Sequence, residues 1–319
     1  MVTARHFLSI ADTAPTDLER LLDRASDLKA ARRSAAAPLR GRSLVQIFEK
    51  PSLRTRLSFD VAMAELGGHS SYLSPAEVGL GRRESVADVA RVVARLVDLA
   101  VLRTYAHETV DEFARHAGIP VVNGLSDIEH PCQALADVFT IRERKGQLRA
   151  VTAAYVGDGN NVAQSLLLCA AKTGLSLRVA CPAGYEPAAR FVDLARAAGA
   201  EIGARIEIVN DPKAAVSGAD VVYTDVWTSM GQEAEYERRR RAFQGFQVNA
   251  RLLALAKPDA IVLHDLPAHR GEEITDEVLD GEQSAVFDQA ENRLHVQKAL
   301  LCWLLAPTTD NPLSPGGEA

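Results

Sequence analysis

Short apolar runs alternate along this chain with longer segments in which apolar residues recur every three to four positions. The first pattern is typical of buried strands and the second of amphipathic helices. In the first half, the predicted strands are residues 43–48, 99–104 and 119–125, and the predicted helices are residues 56–66, 84–96, 107–117 and 131–144. Residues 70–83 are rich in Gly, Ser and Pro and show little periodicity, which predicts a surface loop.

The alternation continues in the second half of the chain. Predicted strands there are residues 153–156, 177–181, 206–209, 221–226 and 260–263, and predicted helices are residues 162–173, 187–198, 213–217 and 291–305. Strands that alternate with helices form parallel sheets whose faces the helices cover. The pattern therefore predicts an α/β fold with two parallel-sheet domains, residues 1–145 and 146–288, a C-terminal helix at 289–306 and a flexible tail at 307–319.

Composition narrows the class of protein. The chain has 319 residues, of which 47% are hydrophobic and 24% charged, with a net charge of −6 and no basic tract, so nucleic acid is not an expected partner. No apolar run is long enough to span a bilayer, and the N-terminus lacks the pattern of a signal peptide, so we expect a cytoplasmic protein without a membrane partner. Four widely spaced cysteines indicate reduced thiols rather than a disulfide framework or a zinc site, and no metal is predicted.

The segment around Ser52 joins the first predicted strand to the helix that follows it. A helix N-terminus presents unpaired backbone N–H groups and the positive end of the helix dipole, which attract anions. Ser52 and Thr55 add hydroxyl groups, and Arg54 and Arg56 add planar donors that match phosphate oxygens. An ordinary serine N-cap with solvated arginines is the alternative. Because the dipole disfavours basic residues at this end, the two arginines favour a phosphate site.

Polar residues also follow the other predicted strands: Arg103, His130, Asn161, Asp225 and His264. Ligands of parallel α/β sheets bind beyond the carboxyl ends of the strands, so we expect these side chains near ligands. His130 can donate to an oxygen, and Gln133, one helical turn later, can bind an amide-like group. A single histidine at a turn is more often structural, so this pair alone is a weak signal.

Residues 157–161, Gly-Asp-Gly-Asn-Asn, suggest a dinucleotide-binding loop. That fingerprint needs a third glycine where Val162 stands, and no ribose-binding acid follows the next strand, so no nucleotide cofactor is predicted. Asn160 and Asn161 instead offer amides to a small polar ligand. Asp225 and Asp265, each at the end of a strand, are candidates for a paired acidic site that binds an ammonium group, although each is also compatible with an ordinary N-cap.

Taken together, these segments resemble the aspartate/ornithine transcarbamoylase family, and its ornithine-specific branch in particular, over nearly the whole chain. Five segments carry the resemblance. They look like the phosphate motif F-E-K-x-S-T-R-T-R (residues 48–56), the H-P-x-Q segment (130–133), the ornithine-specific loop (225 with 229–231), the H-C-L-P-A-x-R segment (264–270) and the C-terminal helix with its phosphate-binding arginine (291–293).

The resemblance implies a carbamoyl-phosphate domain, an amino-acid domain, and a C-terminal helix that packs back on the first domain. It implies transfer of a carbamoyl group to the δ-amine of ornithine, as in arginine biosynthesis, without a metal or organic cofactor. Family members are trimers or multiples of trimers, so a homotrimer is expected. The implied carbamoyl-phosphate ligands are Ser52, Leu53, Arg54, Thr55, Arg103, His130, Gln133, Leu266 and Arg293. The implied ornithine ligands are Asn161, Asp225, Ser229 and Met230, and the implied catalytic residues are Arg103, His130, Asp225, Asp265 and Arg293.

The chain departs from the family pattern at three positions. Leu53 replaces a threonine, and Gly79 stands where the family offers a polar side chain. Asp265 replaces a cysteine beside the substrate amine. A second carboxylate next to Asp225 would raise the pKa of that amine and oppose formation of the neutral nucleophile. Asp265 therefore suggests either a changed pH optimum or a different amine substrate, such as a shorter diamino acid. A non-enzymatic paralogue is a further alternative, but the phosphate-site residues that it would lose are present.

Overall fold

The computed structural model describes residues 4–32 and 37–306, so the predicted tail at 307–319 lies outside the described residues. The chain divides into two compact units. Unit 1 comprises residues 1–135 and 293–319, and unit 2 comprises residues 136–292. Within residues 4–32 and 37–306, no helix has both the length and the apolar composition needed to cross a membrane.

Unit 1 is built on a four-stranded parallel sheet in the order β2-β1-β3-β4. Its elements are α1 (Pro15–Ala30), β1 (Ser43–Phe48), α2 (Leu53–Glu65), β2 (His69–Leu73), α3 (Pro75–Val78), α4 (Val86–Leu96), β3 (Leu99–Arg103), α5 (His107–Ala117) and β4 (Val121–Leu125). Strands β1 and β3 are apolar and buried because helices cover both faces of the sheet. Val45, Leu102 and Phe113 belong to the core on one of these faces.

Unit 2 contains a five-stranded parallel sheet in the order β7-β6-β5-β8-β9. The chain passes from unit 1 to unit 2 within α6 (Pro131–Lys145) and returns within α13 (Val286–Leu305). Between them lie β5 (Thr152–Val156), α7 (Asn161–Thr173), β6 (Ser176–Ala180), α8 (Ala189–Ile202), β7 (Ile206–Val209), α9 (Pro212–Val216), β8 (Val221–Thr224), a 3₁₀ turn (Glu233–Glu235), α10 (Tyr236–Ala242), α11 (Ala250–Leu253), β9 (Ile261–His264) and α12 (Asp276–Leu279).

Strand order reverses once in each sheet, between β1 and β3 in unit 1 and between β5 and β8 in unit 2. Such a switch point opens a crevice at the carboxyl ends of the strands. The segment at Ser52 follows β1 and Arg103 ends β3, while Asn160 follows β5 and Asp225 follows β8. Both predicted ligand sites therefore lie at the switch point of their own sheet.

The structure confirms the α/β class with two parallel sheets. The prediction of a loop at residues 70–83 was wrong in part, because β2 and α3 lie there. β2 is an edge strand that pairs only with β1 and is half-exposed, so it lacks the apolar run that reveals a buried strand. The sequence-based boundaries at 145/146 and 288/289 remain predictions. The units of the structure change at 135/136 and 292/293, inside α6 and α13.

Candidate active site

Ser52 forms the start of α2. Its backbone is extended, with a φ of −158°, and its Oγ accepts a hydrogen bond from Thr55 N at 3.2 Å. The N-cap considered as the ordinary alternative is therefore present. Leu53, the first helical residue, leaves 74% of its surface exposed, so a contribution to anion binding comes from its backbone N–H rather than its side chain. The N-cap and an anion site are compatible, since only one of the orphan donors is satisfied by Ser52.

His130 lies in a strongly cationic part of unit 1. It is buried, and burial together with the positive charges of Arg293, Arg103 and Arg54 lowers its pKa well below the ordinary value. Burial is the largest cause, and each arginine disfavours a second positive charge. The imidazole is therefore neutral at pH 7. A neutral imidazole can still donate one hydrogen bond to an oxygen that gains negative charge.

Arg293 joins three segments that are distant in the sequence. Its guanidinium is 2% exposed. Nη1 donates to Gln133 Oε1 at 2.6 Å, and Nη2 donates to Thr55 Oγ1 at 3.1 Å. These contacts fix the amide of Gln133 and leave the hydroxyl proton of Thr55 able to point at a ligand. The predicted residues Thr55, Arg103, His130, Gln133 and Arg293 are thus part of one buried site.

Arg56 does not join this site. Its guanidinium lies 3.9 Å from the ring centroid of Tyr72, and its Nε is 3.8 Å from Asp60 Oδ2. Of the two arginines that the sequence suggests for a phosphate, only Arg54 lies close enough to His130 to act on its pKa, and its contact with phosphate remains a prediction. α13 returns to unit 1 as expected, since Lys298 Nζ donates to Glu65 Oε2 on α2 at 2.9 Å.

Cys132, next to His130 in the sequence, is not an activated nucleophile. The thiol is fully buried, and burial raises its pKa to about 12 although Arg293 acts in the opposite direction. Its Sγ lies 3.6 Å from Asn123 O, which accepts its hydrogen bond. A thiol with a raised pKa stays protonated at neutral pH, so covalent catalysis by a thiolate does not fit this site.

In unit 2, Asp225 is held by the loop after β5. Asn160 Nδ2 donates to Asp225 Oδ2 at 2.7 Å, and Val226 N donates to Asp225 Oδ1 at 2.7 Å. The Oδ1 atom of Asn160 also caps α7, accepting from Val162 N and Ala163 N at 3.0 and 3.2 Å. Asn160 therefore fixes both the helix start and the carboxylate. Asn161, the predicted ligand, is the first residue of α7 and lies beside this pair.

Asp265 lies close to Asp225, as predicted. Side-chain oxygens of Asp225 and Asp265 and a ring nitrogen of His264 lie within 4.8 Å of one another. Leu266 N donates to His264 Nδ1 at 2.9 Å, so the ring proton is on Nε2, which is 3.0 Å from Glu273 Oε1. Because Nδ1 already accepts a hydrogen bond, the cluster suits an ammonium group between two carboxylates better than a metal ion.

The charge around this cluster is negative. Burial raises the pKa of Tyr155 well above its ordinary value, and the next causes are the charges of Asp225, Asp158 and Asp265. The pKa of Tyr223 is raised in the same way, by burial first and then by carboxylates that include Asp265 and Asp225. The site in unit 2 therefore favours a cation, whereas the site in unit 1 favours an anion.

A buried ion pair holds the segment that follows Asp225. Arg239 Nη1 donates to Asp158 Oδ2 at 2.8 Å and to Trp227 O at 3.1 Å, and Arg239 Nε donates to Glu235 Oε2 at 3.0 Å. The contacts join both ends of the loop at residues 227–235 to the end of β5. Residues 238–241 are four consecutive arginines, of which Arg239 is buried and the other three are exposed.

The loop closed by Arg239 carries two predicted ornithine ligands. Ser229 starts a turn in which Gln232 N donates to Ser229 O at 3.0 Å, and Met230 is 47% exposed. Sequence reasoning offered Asn160 as an amide for a ligand rather than as the partner of Asp225, and it missed Asp158 and Arg239. Asn160 and Asp158 lie in the Gly-Asp-Gly-Asn-Asn loop that the sequence does single out, but which polar side chain faces Asp225 depends on the backbone turn.

Comparison with known proteins gives matches along nearly the whole chain. The family profile described as aspartate/ornithine carbamoyltransferase, carbamoyl-P binding domain, matches residues 5–143, and the Asp/Orn binding domain profile matches residues 149–304. The ornithine carbamoyltransferase of Acidothermus cellulolyticus is 58% identical over 302 residues, covering 94% of this chain and 96% of that protein. That of Methanoculleus marisnigri is 53% identical, covering 95% and 97%. The solved structure of ornithine carbamoyltransferase from Pyrococcus furiosus superposes with a TM-score of 0.92 at 50% identity, covering 96% and 98%.

Proposed function

This chain belongs to the aspartate/ornithine carbamoyltransferase family, and we propose that it transfers the carbamoyl group of carbamoyl phosphate to the δ-amine of L-ornithine, giving L-citrulline and phosphate. One observation carries this proposal. Arg54, Arg103 and Arg293 all act on buried His130, while Asp225 and Asp265 form a separate acidic cluster. The first site suits a phosphate dianion, and the second suits an amino acid with a side-chain ammonium group.

Carbamoyl phosphate binds to unit 1 in this proposal. The N-terminus of α2, with Ser52, Leu53, Arg54 and Thr55, receives the phosphate oxygens together with Arg103 and Arg293. His130, Arg103 and Thr55 donate to the carbamoyl oxygen, and Gln133 uses its second Oε1 lone pair for the carbamoyl nitrogen. Leu266, a residue of unit 2, remains a ligand that only the family resemblance implies. Donors fixed on an oxygen that gains charge lower the barrier by several kcal/mol.

Ornithine binds to Asn161, Asp225, Ser229 and Met230. Its δ-ammonium group first loses a proton to solvent, and the lone pair of the neutral amine then attacks the carbamoyl carbon. The C–O bond to phosphate breaks with the electron pair leaving on phosphate, and the attacking nitrogen gives up its second proton to the leaving phosphate. Asp225 and Asp265 are the carboxylates closest to the incoming amine in this proposal. Positioning of the two reactants supplies much of the rate, because a bimolecular step becomes effectively unimolecular.

Asp265 raises the alternative that the amine substrate is a shorter diamino acid rather than ornithine. Relatives named ornithine carbamoyltransferase share 50–58% of their residues with this chain, and this supports ornithine.

We also propose residues 1–145 with helix 289–306 as the carbamoyl-phosphate domain and residues 146–288 as the ornithine domain. A homotrimer or a multiple of trimers, a role in arginine biosynthesis and a cytoplasmic location complete the proposal. All four cysteines are buried thiols, which fits a reducing compartment.

The test is an assay of the purified protein with carbamoyl phosphate and ornithine. We expect citrulline and phosphate in equal amounts, and a lower kcat/KM with 2,4-diaminobutyrate or 2,3-diaminopropionate. Turnover of a shorter diamino acid in preference to ornithine would refute the assignment of the amine. Release of phosphate without citrulline, or absence of turnover with every amine, would refute carbamoyl transfer itself.

A further inference from the structure

Glu129, the residue before His130, carries a buried carboxylate. The residue is 1% exposed. Ser9 Oγ donates to Glu129 Oε1 in a short hydrogen bond, and Ile10 N donates to Oε2 at 3.1 Å. Burying a carboxylate is costly unless hydrogen bonds compensate it, so a side chain held in this way fixes the segment to which it belongs. Ser9 precedes Glu129 by 120 positions in the chain, and Ile10 precedes it by 119.

The N-terminal segment that supplies these donors is itself attached to the sheet of unit 1. Phe7 N donates to Val121 O at 2.9 Å, and Asn123 N donates to Phe7 O at 2.8 Å. Asn123 Nδ2 also donates to Leu8 O at 3.0 Å. Residues 7–8 thus continue the sheet beside β4 and give Ser9 and Ile10 a fixed position.

The loop between β4 and α6 is closed on its other side by Ser126. Ser126 N donates to Glu129 O at 2.9 Å, and the Ser126 hydroxyl contacts His107 Nδ1 at 2.8 Å. At the end of the loop, His130 O accepts from Gln133 N and Ala134 N, at 3.0 and 3.2 Å, so the backbone of His130 also starts α6. The carboxylate of Glu129 ties this loop to the N-terminal segment.

A direct electrostatic effect of the Glu129 carboxylate on His130 does not explain why this carboxylate is buried. A carboxylate that acts on a neighbouring imidazole raises the pKa of that imidazole. The pKa of His130 is instead lowered well below its ordinary value, by burial and by three arginines. The connection that the structure does show is through the backbone, since Glu129 directly precedes His130 in the loop that Ser9 and Ile10 hold.

We propose that Glu129 is a positioning residue for carbamoyl transfer, and that Ser9 and Ile10 act through it to fix the place of His130. This inference rests on the proposed function, in which the His130 imidazole donates to the carbamoyl oxygen. The N-terminal segment is then part of the active-site support, although it contacts neither substrate in the proposal. A hydrogen bond to the carbamoyl oxygen matters most in the transition state, so the effect falls on kcat rather than on KM.

The test compares Glu129→Gln and Ser9→Ala with the parent protein, well below the unfolding temperature of each variant. Glutamine keeps the shape of the side chain but cannot accept from both donors. We expect kcat to fall about 10- to 100-fold in Glu129→Gln, the range of a small misplacement of a reacting group. The KM for ornithine should stay within about twofold of the parent value, because its ligands lie in unit 2.

Asp98 and Ser43 provide a matched control pair in the same unit. The carboxylate of Asp98 accepts from Ser43 N at 2.8 Å and from Ser43 Oγ at 3.0 Å, the same kind of donors that Glu129 uses. Ser43 starts β1 and Asp98 directly precedes β3, so this pair lies at the amino ends of the strands, whereas the site lies at their carboxyl ends. Asp98→Asn and Ser43→Ala should therefore lower the unfolding temperature without a change in kcat.

A double-mutant cycle separates positioning from general stability. If Ser9 acts through Glu129, the double variant should lose no more kcat than Glu129→Gln alone. An unchanged kcat in Glu129→Gln, or an equal loss of kcat in Asp98→Asn, would overturn the inference. If Glu129→Gln does not fold, Ser9→Ala provides the same test, because it removes only one hydroxyl group. An unchanged kcat in Ser9→Ala would then overturn the inference. Failure of the parent protein to form citrulline would instead refute the proposed function, and the inference that rests on it would be refuted too.

Discussion

Replacing Asp158 with asparagine should weaken the binding of ornithine at neutral pH. Asp158 accepts the 2.8 Å hydrogen bond of Arg239, which also donates to Trp227 O at the start of the loop that carries Ser229 and Met230. Asparagine keeps the size of the side chain but removes its charge. Asp158 is the buried one of the two carboxylates that pair with Arg239, the other being half-exposed Glu235. A buried cation that loses its buried partner is destabilised, so Arg239 should leave its place and release the loop.

The expected magnitude follows from the pKa of Asp158. Burial raises this pKa to about 6, although Arg239 acts in the opposite direction. At pH 7 about ten Asp158 side chains are therefore ionised for each protonated one, and at pH 5 this ratio is reversed. If only the ionised form holds the loop, apparent affinity falls with the fraction of that form. The ratio of the variant's ornithine KM to the parent's should then fall about tenfold from pH 7 to pH 5.

Steady-state kinetics across this pH range provide the measurement. Titration of the substrate amine affects both proteins equally and cancels in the ratio of their KM values. Arg239→Gln should behave like Asp158→Asn at pH 7. Arg238→Gln is the matched control, because the Arg238 side chain is 68% exposed and its ion pair with Glu235 lies at the surface. A KM ratio that does not change with pH, or an equal effect of Arg238→Gln, would refute the reasoning.

Three further predictions concern the proposed reaction. Arg293→Lys should raise the KM for carbamoyl phosphate, because an ammonium group cannot hold Gln133 and Thr55 together as the guanidinium does. Steady-state kinetics provide the measurement, and an unchanged KM would contradict this prediction. His130→Ala should lower kcat about 100- to 1,000-fold. Because the pKa of His130 is lowered well below its ordinary value, the kcat of the parent should show no inflection from His130 near pH 7, and such an inflection would contradict a neutral imidazole. Asp265→Cys should move the pH profile of kcat with saturating ornithine downward, because one fewer carboxylate lowers the pKa of the bound amine. An unchanged profile would show that Asp265 has no part in that titration.

Buried strands were predictable because their signal is local. β1 has the predicted bounds and β3 differs by one residue, since each is a largely apolar run. β7, an edge strand, also has the predicted bounds, because three of its four residues are β-branched. β2, with the sequence His-Ser-Ser-Tyr-Leu, was missed because an edge strand pairs on one side and has no need of apolar residues on both faces. Its strand conformation depends on β1, which the local sequence does not reveal.

Site residues were predictable where a strand end and a helix start determine them together. Ser52 caps α2 and His130 starts α6, as the turn signals indicate. Arg239 was not predictable, because four consecutive arginines have the same local pattern and only one of them faces Asp158. Glu129 was missed for a related reason: a charged residue in a polar turn is usually solvated, and only the N-terminal segment makes it buried.

The sequence by itself determined the alternation of strands and helices, the helix start at Ser52 and the two carboxylates at strand ends. These follow from apolar periodicity, capping residues and residue types, all of which act over a few positions. Only the tertiary structure decided which Arg of 238–241 is buried, that Asn160 holds Asp225, and that Ser9 reaches Glu129. Each of these contacts joins residues that are far apart in the chain, and the cost of burying a charge or an amide selects the partner only after the chain has folded.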